Sequence, residues 1–154
     1  MKKLMAVALV SATSLLVLTS LASANHTKKP TAPKTQKFSA ALNIGQEVPK
    51  PKGTKAGASG RFSATLTGTT LTWTLTFGHL SGPATAAHIH NGVRGKSGPV
   101  VVALCTPCAS PASGTATVTP EQLTDILARK YYVNVHTAKN AGGEIRGQIT
   151  HASS

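Results

Sequence analysis

The chain has 154 residues, with 16 Lys and Arg against 4 Asp and Glu, a formal charge of +12 and 40% hydrophobic residues. That is one domain's worth of chain, with apolar material for a single core. The charge reflects a shortage of acids, since Glu47, Glu121, Asp125 and Glu144 are the only side-chain carboxylates, and this nearly excludes a catalytic carboxylate dyad, an EF-hand calcium loop and an acidic magnesium site.

Residues 1–24 read as a secretory signal peptide: Met1-Lys2-Lys3 is basic, Leu4 to Leu21 is apolar, and Ala22-Ser23-Ala24 is a small-x-small cleavage signal. Ser11, Thr13, Ser14, Thr19 and Ser20 interrupt the apolar run and argue against a retained anchor. Cleavage after Ala24 implies export, to a periplasm or to the extracellular space. No later stretch is long and apolar enough to span a bilayer, so the mature chain is expected not to cross one. Residues 25–36 are Lys, Thr, Pro and Ala without apolar periodicity and are expected to form a flexible basic tail. An Asn25-His26-Thr27 glycosylation sequon falls within it.

The domain is expected over residues 37–150, with a short C-terminal tail at 151–154. Phe38, Ala40, Leu42 and Ile44 recur at every second position, the spacing of one face of a strand. Phe62, Ala64 and Leu66, then Leu71, Trp73, Leu75 and Phe77, alternate with threonines across Gly68-Thr69-Thr70 and predict a β-hairpin. Further runs fit at Thr85 to Ile89, Pro99 to Leu104 and Ala116 to Val118. Thr119-Pro120-Glu121-Gln122 is a helix start, with Thr as cap and Pro at the first helical position, and the helix is expected to end near Arg129-Lys130. Tyr131, Val133 and Val135, and then Ile145, Gly147 and Ile149, close the chain. About eight short strands and one helix predict an all-β, antiparallel Greek-key β-sandwich.

Phe38-Ser39-Ala40-Ala41-Leu42 with Gln46-Glu47-Val48-Pro49, Ala86-Ala87-His88-Ile89-His90-Asn91-Gly92, Tyr132-Val133-Asn134-Val135-His136-Thr137, and Gly142-Gly143-Glu144-Ile145-Arg146-Gly147-Gln148-Ile149 stand in this order. Together they resemble the CHRD domain, a family named after chordin and common as single copies in exported bacterial proteins. The resemblance covers roughly residues 37–150 and implies a secreted β-rich domain with no established enzymatic activity in its bacterial members. A His-x-His strand, a later His and a Gly-rich turn leading into a strand with Arg are also similar to the layout of copper/zinc superoxide dismutases. The zinc-loop histidines and aspartate of those enzymes have no counterpart here.

His88 and His90 are two apart on a strand, so their rings share one face, while Ala87 and Ile89 point to the core. His136 shares a face with Tyr132 and Asn134. If the two strands are neighbours, three imidazoles meet on the outer face of the sandwich, a donor set that suits one copper or zinc ion with a position open for water. Glu144, Arg146 and Asn134 are the candidate supporting residues, with Gln148 on the same face, orienting a ring or holding an anion nearby. The other reading is a hydrogen-bonded polar network that only fixes loops. His79, His26 and His151 are read as incidental.

Cys105-Thr106-Pro107-Cys108 is the only cysteine pair, and in an exported chain it predicts a local disulfide. A redox-active pair would need to open a helix after a parallel strand, and a thiolate metal site would need a second pair. Gly95-Lys96-Ser97 is not a phosphate loop, because the earlier glycine it requires is His90, and no Gly-x-Ser-x-Gly elbow is present. Lys28, Lys29, Lys34, Lys37, Lys50, Lys52 and Lys55 suit an anionic surface, yet aromatics are 4% of the chain and do not interleave with them as in a single-strand nucleic-acid binder. Three functions follow. The chain is a non-enzymatic exported copper- or zinc-binding protein, or an interaction module for a protein or polyanionic partner, or a copper redox enzyme of dismutase type.

Overall fold

Two-residue alternation fixes which side of every strand meets the core. A computed structural model describes residues 34–152, so the expected signal peptide, residues 25–33 of the tail and the Asn25 sequon lie outside the described residues. Nine strands run in the order β1 (Thr35–Asn43), β2 (Ser59–Thr67), β3 (Thr70–Gly78), β4 (Ala84–Asn91), β5 (Val100–Cys105), β6 (Ala112–Thr117), β7 (Tyr131–Thr137), β8 (Ile145–Gln148) and β9 (Thr150–His151). One helix, α1 (Pro120–Leu127), lies between β6 and β7. All pairings are antiparallel, and hydrogen bonds link the strands in one path, β5-β4-β7-β8-β1-β2-β3-β6, with β9 beside β1. The end strands β5 and β6 touch, so the sheet curls into a nearly closed barrel-like sandwich. The expected all-β architecture is present.

Phe38, Leu42, Phe62, Leu66, Leu71, Trp73, Leu75, Val133, Val135, Ile145 and Ile149 are all buried in one apolar cluster. The threonines between them on β3 face outward. Such burial stabilises each large side chain by roughly 1.5–3 kcal/mol. The β2–β3 hairpin closes with Thr67 opposite Thr70 and two loop residues, Gly68 and Thr69. Gly68 has φ of 61°, as the first position of a type II′ turn requires, and glycine takes it without steric cost.

The boundaries differ from expectation at both ends. Thr35 and Gln36 belong to β1, opposite Thr67 and Leu66, because the strand continues for as long as β2 offers a partner. His151 belongs to β9, where its ring stands 4.9 Å from that of Phe38. Ile44 leaves the strand for a 3-10 turn (Ile44–Gln46) in which the Asn43 side chain accepts a hydrogen bond from the Gln46 N–H. Thr119 caps α1 through a reciprocal pair with Gln122, and the helix stops at Leu127, since Arg129 takes the left-handed conformation at φ 58°. Cys105, the last residue of β5, is disulfide-bonded to Cys108 at an S–S distance of 2.03 Å.

The chain-order neighbours β4 and β5 pair, and β7 inserts on the other side of β4. That insertion brings the second and third sequence motifs side by side. Phe62 is fully buried in the cluster, so Phe62→Ala should destabilise the domain by about 3–5 kcal/mol. The check is the shift in urea midpoint at unchanged m-value.

Candidate metal centre

Every residue of β7 is buried, so both of its faces are covered. Val133 and Val135 meet the apolar core. Tyr132, Asn134 and His136 lie on the opposite face, and the register fixes their neighbours. His88 stands opposite Asn134, His90 opposite Tyr132 and Ala86 opposite His136. On the far side of β7, Arg146 stands opposite Asn134 and Gln148 opposite Tyr132. On the β5 side, the register of β4 shifts at Ala87/His88 and again at Ile89/His90. Irregularities of this kind re-aim side chains and are common beside functional sites.

The expected outer-face patch is not open to solvent. His90 and His136 are each 8% exposed, Gln148 8%, Arg146 1% and Glu144 0%. The face points away from the apolar core, as alternation requires, but loop backbone closes over it. The loop between β4 and β5 is tied back by hydrogen bonds from Asn91 N–H to Pro99 O and from Gly92 N–H to Lys130 O. Its Gly98 carbonyl accepts from His90 Nδ1 at 2.9 Å, and the Ala141 carbonyl, in the loop between β7 and β8, accepts from His136 Nδ1 at 2.9 Å.

A carbonyl oxygen only accepts, so these two bonds place the proton on Nδ1 and leave a lone pair on Nε2 of both rings. His90 Nε2 has no hydrogen-bond partner among the described residues. His136 Nε2 is 3.0 Å from His88 Nδ1. The three histidines each offer one ligand atom within 4.8 Å of the others. With metal–nitrogen bonds of about 2.1 Å, two nitrogens on one tetrahedral ion stand about 3.4 Å apart and on any ion at most about 4.2 Å, so a pair at the upper separation closes by about 0.6 to 1.4 Å through side-chain adjustment. The donor set fits copper or zinc, and the carbonyl-fixed tautomers are the usual outer support of a histidine ligand.

Burial pushes all three imidazoles below their ordinary pKa. The neighbouring rings add to this for His88 and His136, and Arg146 adds to it for His90. The three rings are therefore neutral at pH 7, the form that ligates.

The candidate supporting residues separate. Asn134 lies between His88 and Arg146 in register; its Nδ2 is 3.5 Å from Gly142 O, and its amide lies close enough to Glu47 and His90 to act on the ionisation of both as a hydrogen-bonding neighbour. Arg146 places its guanidinium carbon 3.3 Å from the centre of the Tyr132 ring, and that ring stacks on His90 at 4.9 Å with a 6° interplanar angle. Arg146 thus supports His90 through Tyr132. Glu144 is turned elsewhere: its carboxylate accepts from Ser81 N–H and Oγ, Thr137 Oγ1 and Asn140 Nδ2. Burial alone would raise its pKa, but these donors hold it below the usual carboxylate value. Glu144 bonds none of the three imidazoles, and it braces the loop whose Ala141 orients His136. Nor does it pair with Arg146, since the one ion pair among the described residues is Lys130–Asp125.

Two participants escaped the sequence. Tyr132 was visible only as a face-sharing neighbour of His136, and Glu47 only as part of a motif. Glu47 is 3% exposed, and burial raises its carboxyl to about 7, against the opposing pull of Arg146. It sits behind Gly143, where a Cβ would collide with it and stand 2.7 Å from Asn134 Nδ2. No periodicity marks Glu47, because it follows the 3-10 turn and opens an irregular loop. His79 is exposed at the end of β3 and His151 lies on β9, both apart from this group; His26 is outside the described residues.

No significant match to a curated protein or to a solved structure accompanies the chain. The family model of the CHRD domain matches residues 38–149, from β1 through the end of β8. Nearly the whole described fold, including all three histidines and the strands that carry them, lies within that match, and the chain belongs to the CHRD domain family.

Proposed function

We propose that this CHRD-domain chain is a non-enzymatic, exported metal-binding protein in which His88, His90 and His136 take one copper or zinc ion. The observation that carries the reading is the pair of backbone carbonyls, Gly98 and Ala141, that turn the Nε2 lone pairs of His90 and His136 toward a common point. A network built only to fix loops would have no use for an unpartnered His90 Nε2, whose desolvation costs roughly 1–3 kcal/mol. Imidazole donors suit both metals, and copper(II) binds the tighter of the two by the general order of divalent affinities. Among the described residues no helix is long and apolar enough to cross a membrane. Export rests on the signal-peptide reading of residues 1–24.

The first test is metal analysis of the tag-free mature protein, followed by Cu(II) and Zn(II) titration by calorimetry at pH 7. The expected result is one ion per chain, abolished in the triple His88/His90/His136→Ala variant. Binding no tighter than about 0.1 mM, near −5.5 kcal/mol, would leave the histidines as scaffold. Single replacements should be judged on His88, the least buried of the three. His88→Ala should weaken binding by on the order of 100-fold or more, since even outer partners of a ligand are worth 10–100-fold.

Stability of the metal-free protein should depend on pH through two opposed groups. The imidazoles have folded pKa values below the unfolded value, so the unfolded chain takes up protons first and stability is lost as pH falls through about 6.5. Glu47 has the reverse shift, and its contribution is present below 4.5 and lost as pH rises through about 7. Glu47→Gln removes the opposing contribution. Its urea midpoint should therefore fall more steeply than that of the wild type between about pH 6.5 and 5; parallel curves would disprove the assignment.

A further inference from the structure

Away from the histidines, the outer face of β1, β2 and β3 carries positive charge and no side-chain carboxylate. Glu47 and Glu144 are buried, Asp125 is held by Lys130, and Glu121 stands in the first turn of α1. Lys37 on β1 and Arg61 on β2 are exposed on this face, and Arg94, exposed in the loop between β4 and β5, is tied down onto it. Arg94 Nη1 donates to Gln46 Oε1 at 3.0 Å, and Gln46 Nε2 donates in turn to Ala41 O at 2.8 Å. None of the three cations forms an ion pair among the described residues.

Two open cavities lie side by side on this face and share Ser39. One, of about 280 Å³, is lined by both Arg61 and Arg94, with Gln46 and Thr150 beside them and the small Ala41 directly opposite Arg61 in register. The other, of about 240 Å³, is lined by Lys37 and by hydroxyls. Strand register sets those groups in two rows, Lys37-Thr65-Thr72 and Ser39-Ser63-Thr74, and the Ser63 and Thr74 hydroxyls are bonded at 2.7 Å. Lys37 and Ala41 are four residues apart on one strand, so the lysine and the arginine pair stand about 14 Å apart along it. No carboxylate lines either cavity.

Two guanidiniums in one cavity without a counter-charge make a positive potential that an anion relieves, and the planar fork of arginine matches a carboxylate in bidentate fashion. The rows of hydroxyls next to them match an uncharged polar surface. A partner that answers both repeats a carboxylate among hydroxyls. We propose that the outer face of β1, β2 and β3 binds an acidic polysaccharide of the uronate type. The carboxylate of one sugar seats between Arg61 and Arg94, the chain crosses Ser39 over the Ser63 and Thr74 hydroxyls, and a later carboxylate meets Lys37. Single-stranded nucleic acid fits less well, because its bases call for exposed rings to stack on. The exposed large hydrophobic residues among those described are Val93, Val100 and Leu127, none of them aromatic. The three histidines take no part, so the proposal does not rest on the metal reading.

The experiment is a calorimetric titration of the tag-free mature protein with a galacturonate tetramer, in about 0.15 M salt so that attraction beyond about 8 Å is screened. Maltotetraose serves as the neutral control and a short DNA duplex as the rival polyanion. Saturable binding of the galacturonate, none of maltotetraose and weaker binding of the duplex is the expected result. The Arg61→Ala/Arg94→Ala double variant should lose about tenfold or more in affinity. The Lys52→Ala/Lys139→Ala double variant removes the same charge from exposed side chains at a different cavity and should bind as the wild type does. Arg61→Lys/Arg94→Lys keeps the charge, loses the planar forks and should fall between the two. Absence of binding by the wild type, equal losses in the two alanine double variants, or a duplex that binds as tightly as the galacturonate would overturn the proposal. Failure of copper or zinc to bind would leave the galacturonate result standing, so the two readings fail separately.

Discussion

The pairing of β4 with β7 is the constraint from which the rest follows. Residues 84–91 and 131–137 are separated by two strands, a disulfide and a helix, yet seven of the eight backbone positions from Ala84 to Asn91 find partners on β7, with one irregularity at Thr85. Because side chains alternate, the pairing that sends Ala87, Ile89, Val133 and Val135 to the core necessarily sends His88, His90, Asn134 and His136 to the other face. A slip of one residue would put imidazoles among the apolar side chains of the core and valines on the polar, loop-covered face. The apolar core thereby sets the register, and the register sets the distances among the polar groups.

The polar face is paid for in hydrogen bonds from loop backbone. In each of three places a carbonyl of an irregular segment meets a buried charged or titratable side chain: Gly98 at His90, Ala141 at His136 and Val93 at Arg146. Glu144, with four donors, holds one of those segments in position. Rigid strands supply the placement of the rings, while the loops supply their protonation and orientation. Tyr132 joins the two halves of the face, with His90 stacked on its ring and the Arg146 guanidinium over it.

The strands and the helix start were legible because alternation and capping are local. Thr119 and Gln122 sit three apart, and Phe62 to Leu66 and Leu71 to Phe77 alternate on either side of a two-residue turn. The histidine triad was legible as a conditional, since spacing put His88 with His90 and His136 with Asn134, but only the long-range pairing of β4 with β7 joins them. Burial of the site was not legible, because the loops that cover it contain glycine, lysine and proline and resemble solvated connections. The separation of Glu144 from Arg146 was hidden for a different reason. Alternation puts both on one face, but Glu144 precedes β8 and answers to Ser81 and Thr137 rather than to the sheet.

The contact between β5 and β6 has a consequence for how the molecule behaves in company. Both are six-residue strands at the two ends of the hydrogen-bonded path. Had the sheet stayed open, each would present a row of unpaired amides and carbonyls, the template on which a second chain adds a strand. Curled toward one another, the two ends approach closely enough to shield part of that row. Self-association by strand addition is thereby discouraged in a chain that carries few acids to alternate with its lysines and that displays uncharged threonines over much of β3 and β6.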